Sequence, residues 1–352
     1  MRTLTISGSP TERGRAHGEE LRADIHRSVG RFRQSLAEQL GVDPDVYLRE
    51  FLAGVDFDDA IATWAPDALA ELRGVAAGCD LPFETIYVYN LVDELWLWAE
   101  ERGDPLVTGE SPPGCTVVSV ARGPSGAPLL AQTMDIPLHY CDTEVALRIQ
   151  RDDRPDLWTI TPAGMLNTFG WNEAGVGVCT NTIMGLSHAR RGLPVLFVVR
   201  AILAERTRED AAARVRALAH ASGQAYTIGD PTGVTSLECS ATAVVEYAGD
   251  SPALVHTNHP LVNEDLDEQL LAVERSESQG RQAFAEAAAV HDVAGIQQLL
   301  ADRTLPICKV GSKLSDTTSW ASVVMELTAP PHVLASVGPP PHRAPYERVP
   351  AA

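Results

Sequence analysis

The sequence predicts a layered α+β fold built on antiparallel sheets, and three observations support this. Residues 12–102 place apolar side chains three and four positions apart, which is typical of helices. From residue 115 the pattern changes to short β-branched runs separated by Gly, Pro and Asp. Helices and strands then return in blocks rather than in strict alternation, which favours α+β over a parallel α/β fold.

The N-terminal third reads as four helical segments, at 15–40, 43–52, 57–77 and 82–101. The fourth is apolar nearly all round, so it should be buried on more than one side. Packing alone or the lining of a ligand pocket would explain its aromatic residues. We take Trp98, on this segment, as a candidate substrate-binding residue.

The remaining two thirds alternate between groups of strands and groups of helices. Strands are predicted at 115–121, 129–134, 144–150, 157–161, 175–180, 224–229, 234–239, 242–248, 253–257, 319–327 and 333–337. Helices are predicted at 194–205, 208–221, 263–289 and 293–302, before a Pro-rich tail at 339–350. The chain has 352 residues, of which 45% are apolar, so it can bury a large core.

Charge and composition exclude several classes of function. The 28 Lys+Arg and 47 Asp+Glu give a formal net charge of −19, which disfavours nucleic acid and anionic membrane as partners. The N-terminus lacks the apolar core of a secretory signal, and the longest apolar run is too short to cross a bilayer. We therefore expect a cytoplasmic protein. The six cysteines show no C-x-x-C spacing, so we expect no disulfide framework, no metal site and no cofactor.

The segment 111–118, SPPGCTVV, is where the chemistry is expected, because a turn-prone stretch runs into a cysteine at the start of a strand. The two prolines fix φ, and Gly114 leaves its carbonyl sterically open to a neighbouring thiol. Attack by Cys115 on that carbonyl would give a thioester, and its hydrolysis would leave Cys115 as a new N-terminus. The new amine, with an ordinary pKa of about 8, could then serve as the base for the thiol. A plain buried cysteine is the alternative explanation.

Six motifs in order resemble those of one family. They are GSPTERGRAHGEEL (8–21), PPGCTVV (112–118), LLAQTMD (129–135), GWNEAGVGVCTNT (170–182), LVHTNHP (254–260) and SESQGR (276–281). Together they resemble the acyl-CoA:6-aminopenicillanic acid acyltransferase family, the C45 peptidases, which are autoproteolytic cysteine N-terminal-nucleophile hydrolases. The resemblance covers nearly the whole chain.

This resemblance implies an αββα four-layer sandwich and a precursor, or zymogen, that cleaves itself between Gly114 and Cys115. Residues 1–114 would become a helical N-terminal fragment and residues 115–352 the nucleophile-bearing one. The two fragments would stay together as a heterodimer within one compact domain. The resemblance also implies chemistry on small-molecule amides through an acyl-thioester.

Three further residues receive catalytic roles from the resemblance. Asp135 would hold and orient the amine of Cys115 through a charge-assisted hydrogen bond. Asn181 and Asn258 would flank the reacting carbonyl, with Asn258 as the main oxyanion donor. Each also has a simpler explanation, because Asp and Asn often form turns where strands end.

Two more residues resemble parts of the family's site. Arg281 could pair with Asp135 or with a substrate carboxylate, although a solvated helix face would also explain it. Ser319 corresponds to a segment near the pocket. Related bile-salt and penicillin V hydrolases carry an arginine where this chain has Gln132, so activation of the thiol by a guanidinium at that position is not expected.

The function expected from the sequence is that of an amidohydrolase or acyltransferase, with hydrolysis of an N-acyl amide favoured. A catalytically silent scaffold or small-molecule-binding protein with the same fold is the alternative. Cleavage at Gly114 distinguishes the two.

Overall fold

The computed structural model describes residues 1–106, 114–248, 253–268, 270, 275–305, 307–338 and 344–349. Its N-terminal third is helical after one short strand, β1 (Arg2–Ile6). The helices are α1 (Pro10–Glu20), α2 (Arg22–Leu40), α3 (Pro44–Gly54), α4 (Asp58–Trp64), α5 (Pro66–Cys79), α6 (Phe83–Tyr89) and α7 (Val92–Glu101).

Three of the four helical segments predicted in this third are each divided into two helices, because local backbone chemistry interrupts an otherwise continuous apolar pattern. The first breaks at Leu21, whose backbone dihedrals (φ −112°, ψ 15°) are not helical. The second breaks before Pro66, and a residue preceding proline disfavours the helical conformation. The third breaks at Asn90, whose side chain bonds Ile86 O at 2.9 Å and Leu166 N at 2.8 Å.

Helices α1 and α5 cross with their backbones in close contact. Gly14 and Gly18 on α1 face Gly74 and Gly78 on α5, and a Cβ on Gly74 would lie 2.3 Å from the carbonyl oxygen of Thr11. Only glycine fits at such a distance. The pairs of glycines spaced four residues apart on both helices therefore allow the two backbones to cross in contact.

The remaining strands form two sheets together with β1. They are β2 (Thr116–Val120), β3 (Leu129–Pro137), β4 (Glu144–Ile149), β5 (Leu157–Pro162), β6 (Phe169–Asn172), β7 (Gly177–Thr182), β8 (Gln224–Asp230), β9 (Gly233–Cys239), β10 (Val244–Tyr247), β11 (Ala253–His256), β12 (Thr317–Glu326), β13 (His332–Val337) and β14 (Glu347–Arg348). The first sheet has the order β1-β4-β5-β6-β7-β8-β9-β10, and the second β11-β2-β3-β12-β13-β14. Apart from the parallel pair β1/β4, the pairing is antiparallel. The sequence patterns missed β1, β6 and β14.

Four more helices, α8 (Val195–Ile202), α9 (Arg208–Ala217), α10 (Arg275–Ala287) and α11 (Val293–Leu300), complete the layers. Helix α9 packs on β8 and β9 of the first sheet, α10 and α11 pack on the second sheet, and β7 packs against β2 and β3. In β2, Val117 belongs to the main core, whereas Val118 packs with Ile296 of α11. The order of layers is thus helix, sheet, sheet, helix, as the family resemblance implies.

The predicted helix at 263–289 is wrong in its first part, because residues 263–268 are not helical. Asn263 is tied to the neighbouring sheet, since its backbone N–H donates to Glu238 Oε2 at 2.8 Å and its side chain donates to Glu238 O at 3.2 Å. Polar side chains that bond distant backbone compete with helix formation in this way. Residues 269 and 271–274 of the prediction lie outside the described residues. Within the described part of the chain, no helix is long and apolar enough to cross a bilayer.

Candidate active site

Cys115 lies immediately before β2, an inner strand of the second sheet that packs against β7 of the first sheet. Its side chain is buried, with 5% exposure. The pairing of Thr116 with Thr133 on β3 brings the thiol beside the end of that strand. There the backbone N–H of Asp135 donates to Cys115 Sγ at 3.4 Å, and Met134 Sδ lies 3.6 Å from it.

In the continuous chain this thiol is strongly held in its protonated form. Burial, followed by the negative charge of Asp135, raises the pKa of Cys115 to about 12. A pKa near 12 leaves a thiolate fraction of about 10⁻⁵ at neutral pH. Attack by Cys115 therefore needs a base that accepts the thiol proton as the new bond forms.

Gly114, the residue before the thiol, is enclosed by two cationic side chains. A Cβ at this position would lie 2.6 Å from Lys309 Nζ and 3.2 Å from Arg281 Nη2. Both cations are buried. Glycine is therefore the residue that fits here with both side chains in place. Residues 111–113 of the predicted turn lie outside the described residues.

The carbonyl of Cys115 is fixed by two side chains that the sequence singled out. Arg281 Nη1 donates to it at 2.7 Å, and Asn181 Nδ2 donates to it at 3.2 Å. Arg281 also donates to Thr116 Oγ1 at 3.0 Å. With 2% exposure, Arg281 is not on a solvated helix face, so that explanation is wrong.

Asn258 joins the same group through Arg281. Its Oδ1 accepts from Arg281 Nη2 at 3.0 Å, and its Nδ2 donates to the carbonyl of Thr182, at the end of β7, at 3.0 Å. The loop that carries it is held by a buried pair, since His256 Nε2 lies 2.8 Å from Glu238 Oε1. Within the described residues, the second amide hydrogen on Nδ2 has no acceptor and could donate to a ligand oxygen.

The Asp135 carboxylate is positioned by hydroxyl donors. Ser319 Oγ donates to Asp135 Oδ1 at 2.6 Å, and Thr133 Oγ1 donates to the same oxygen at 3.1 Å. Ser319 lies directly opposite Asp135 in the β12/β3 register. Ser319 Oγ in turn accepts from the backbone N–H of Lys309 at 2.8 Å, which connects the carboxylate to the segment that carries the lysine.

Lys309 is a residue of this site that the sequence patterns did not identify. Its side chain is buried, with 3% exposure, and Nζ lies 3.2 Å from Glu277 Oε2. A buried lysine paired with a carboxylate next to Gly114 is a candidate functional residue. No local pattern marks it, because it follows Cys308 in a stretch without regular structure. The nearest signal is that Glu277 belongs to the SESQGR motif.

A narrow cavity of about 60 Å³ opens beside the thiol, and we call it the Cys115 cavity. It lies between the two sheets and the N-terminal helices. It is lined by Val92, Asp93, Trp96, Cys115, Met134, Asp135, Ile136, Tyr140, Met165, Thr168, Thr180, Thr182, Val195 and Leu196.

Trp98 is not among the residues that line this cavity, so its assignment as a substrate-binding residue is corrected. Its ring packs against Tyr47 and Phe51, with centroid distances of 5.2 and 5.6 Å. Trp96 lines the cavity instead. Two positions on one helix point about 200° apart, so only one of the two tryptophans can face the thiol.

Gln132, on β3 of the second sheet, forms hydrogen bonds to β7 of the first sheet. Its Oε1 accepts from the backbone N–H of Thr180 at 3.1 Å, and its Nε2 donates to the carbonyl of the same residue. The side chain thus connects β3 to β7 close to the Cys115 thiol. Among the described residues, no group of three His, Cys, Asp or Glu side chains has the geometry of a metal site.

Comparison with known proteins adds independent findings. The model of the family "Acyl-coenzyme A:6-aminopenicillanic acid acyl-transferase" matches residues 121–332, which is more than half of the chain. This range contains Asp135, Asn181, Asn258, Arg281 and Ser319, and it begins six residues after Cys115. Among curated proteins, the chain is 25% identical over 265 residues to the acyl-coenzyme A:6-aminopenicillanic-acid-acyltransferase 40 kDa form of Emericella nidulans. That match covers 75% of this chain and 70% of the relative.

Among solved structures, the chain is similar to a variant of conjugated bile acid hydrolase from Clostridium perfringens, with 13% identity and a TM-score of 0.48. This similarity covers 67% of this chain and 92% of that one. Penicillin V acylase from Agrobacterium tumefaciens is similar with 14% identity and a TM-score of 0.39, over 63% of this chain and 82% of that one. On the family match, the chain belongs to the acyl-coenzyme A:6-aminopenicillanic acid acyltransferase family.

Proposed function

We propose that this protein is an autoproteolytic enzyme that hydrolyses an N-acyl amide through an acyl-thioester on Cys115. The observation that carries the proposal is the position of Cys115. Its thiol faces a carboxylate and a cavity, and its carbonyl is held by Arg281 and Asn181. A cysteine buried for packing alone would not need this set of charged and amide side chains.

The first step is cleavage of the chain. Cys115 Sγ attacks the Gly114 carbonyl carbon, and the C–N bond breaks so that a thioester forms and the Cys115 nitrogen becomes a free amine. The thiol proton passes to that nitrogen through a base, for which the Asp135 carboxylate is the candidate, because it is near enough to raise the pKa of the Cys115 thiol. Water then hydrolyses the thioester to release the Gly114 carboxylate. Lys309 and Arg281, close to Gly114, would stabilise the negative charge that develops on its carbonyl oxygen.

The second step is turnover of substrate by the mature fragment. The Cys115 amine takes the thiol proton, and Asp135 orients the amine through a charge-assisted hydrogen bond. The thiolate attacks the amide carbonyl, the amine of the substrate leaves with a proton, and the acyl group stays on sulfur until water removes it. Asn258 would donate its free amide hydrogen to the oxyanion of both tetrahedral intermediates.

Transfer of the acyl group to an amine would use the same intermediate. We favour water as the acceptor, because the thiol opens on a narrow cavity whose walls are mainly apolar. A short acyl chain would fill this space and leave room for a water molecule rather than for a second large substrate.

Intact mass of the purified protein tests the proposal against the alternative of a catalytically silent binding protein. Activated protein should give fragments of 114 and 238 residues, since 352 − 114 = 238. Cys115→Ala should remain a single folded chain without amidase activity. Cys179→Ala is the matched control, because Cys179 is also a buried thiol and lies on β7, the strand of the first sheet that packs against β2. Processing of Cys115→Ala would refute attack by this thiol.

A further inference from the structure

The described lining of the Cys115 cavity contains acidic side chains but no basic ones. That lining contains two carboxylates, Asp93 and Asp135, and no lysine, arginine or histidine. In the proposed mature enzyme Asp135 is paired with the amine of Cys115. Asp93, on α7, has no such role in the reaction, so it is a carboxylate whose presence in an apolar cavity needs its own explanation.

Two hydrogen bonds to the Asp93 side chain are accepted by the same carboxylate oxygen, Oδ2. Thr182 Oγ1 donates to Oδ2 at 2.6 Å, and Gln224 Nε2 donates to the same oxygen at 2.7 Å. Within the described part of the chain, Oδ1 accepts no hydrogen bond. The two donors fix the carboxylate in position and leave one oxygen for a ligand. Burial raises the pKa of Asp93, and a cation beside it would favour the charged form again.

We propose that Asp93 selects substrates whose acyl group carries a primary amine, which binds in the cavity as an ammonium ion against Asp93 Oδ1. This inference rests on the proposed function, because it assigns the cavity to the acyl group. The aromatic residues Trp96 and Tyr140, which also line the cavity, would contribute to binding of the cation.

The cavity suits the acyl side of the substrate rather than the leaving group. An acyl group remains attached to Cys115 Sγ until the thioester is hydrolysed, so it must occupy space next to the sulfur. The leaving amine has to diffuse away and needs an open path. The enclosed space that Cys115 itself lines is therefore the place for the group that stays.

A matched pair of amides tests the specificity. The β-alanyl and butyryl amides of 7-amino-4-methylcoumarin differ only in an ammonium group and a methyl group at the end of the acyl chain, and the glycyl/propionyl and 4-aminobutyryl/pentanoyl pairs vary the length. In at least one pair, the wild-type enzyme should hydrolyse the amino form with a kcat/KM about 10- to 100-fold higher than that of the matched alkyl form. This factor corresponds to the free energy of a hydrogen bond to a charged group. Asp93→Asn should abolish or reverse this preference.

Two controls separate recognition from a structural role. Asparagine keeps an oxygen for the Thr182 and Gln224 donors, so Asp93→Asn should retain the tie between α7 and the first sheet. Thr182→Val removes one of these donors but leaves the charge, and it should preserve the preference for the amino form. Equal kcat/KM values within every pair for the wild-type enzyme, or an equal loss for both members in Asp93→Asn, would overturn the inference.

A binding measurement distinguishes failure of this inference from failure of the proposed function. β-Alaninamide and butyramide are titrated into wild type and Asp93→Asn, with saturation-transfer NMR as the readout. If the protein neither cleaves itself nor forms an acyl-thioester, the proposed function fails. Preferential binding of β-alaninamide that depends on Asp93 would still establish the ammonium site, and its absence would refute that site as well.

Discussion

Replacing Asp135 with asparagine gives the most discriminating test of the self-cleavage mechanism, because two physical effects of the change have opposite signs. The negative charge of Asp135 helps to raise the pKa of the Cys115 thiol, after burial. Removing it should lower that pKa and increase the thiolate fraction. If the amount of thiolate alone limited cleavage, Asp135→Asn would be processed faster than wild type.

We expect slower processing, because the same substitution removes the base. With a thiol pKa of about 12, five units above neutral pH, the thiolate is too rare to act unaided. Loss of a positioned general base typically costs about 10²–10⁴-fold in rate. The residual rate of the variant should rise about tenfold per pH unit below the thiol pKa, since bulk hydroxide must then remove the proton.

The assay is intact mass at timed intervals after synthesis in a cell-free system, over a range of pH. Asparagine retains an acceptor for Ser319 and Thr133, so the thermal midpoint should change little. Ser319→Ala keeps the charge and removes one of these hydrogen bonds, and Asp152→Asn is an exposed control. Processing of Asp135→Asn as fast as wild type, or faster, would refute the role of this carboxylate as a base.

Three other expectations follow from contacts in the structure. Cys115→Ala removes only one sulfur atom, so the melting temperature of this uncleaved chain should be close to that of a second uncleaved active-site variant. A melting temperature typical of a disrupted core would contradict this expectation. Asn258→Ala removes the proposed oxyanion donor, so kcat of cleaved enzyme should fall about 10²–10³-fold with little change in KM, and a kcat within about threefold of wild type would remove the role. Gly74→Ala places a methyl group 2.3 Å from Thr11 O and should cost about 1–3 kcal/mol of unfolding free energy in urea titrations, whereas Gly30→Ala faces open space on α2 and should gain up to about 1 kcal/mol. Equal effects at the two glycines would show that the α1/α5 crossing can relax.

Most strands and helices could be predicted from the sequence because their apolar periodicity is local. The predicted strand at 129–134 corresponds to β3, and the predicted helix at 293–302 corresponds to α11. Strand β1 was missed because its partner β4 is more than 130 residues away, and only that pairing makes RTLTI a strand. The helix breaks at Pro66 and Asn90 each depend on a single residue, and apolar periodicity over many residues does not detect such breaks.

The site was predictable to the extent that its residues lie in recognisable motifs. Cys115 and Asp135 are on neighbouring strands, so their proximity follows from one hairpin pairing. Lys309 reaches the site through a loop and is held by Glu277, and no short-range pattern encodes that contact. Trp98 was proposed as a substrate-binding residue, whereas Trp96 lines the cavity, because an all-round apolar helix does not show which face meets the cavity.

The position of these residues along the chain implies a division of roles between the two proposed fragments. Among the described residues, Cys115 and the side chains that contact its carbonyl or orient its carboxylate partner lie after the proposed cleavage site. Asp93 and Trp96, which line the Cys115 cavity, lie before it. The C-terminal fragment would therefore carry the chemistry, while the N-terminal fragment would supply part of the wall that selects the acyl group. Thr182 Oγ1 and Gln224 Nε2 donate to the Asp93 carboxylate from the C-terminal side of the proposed cleavage site. The contacts that position the proposed selecting residue would therefore also help to hold the two fragments together after cleavage.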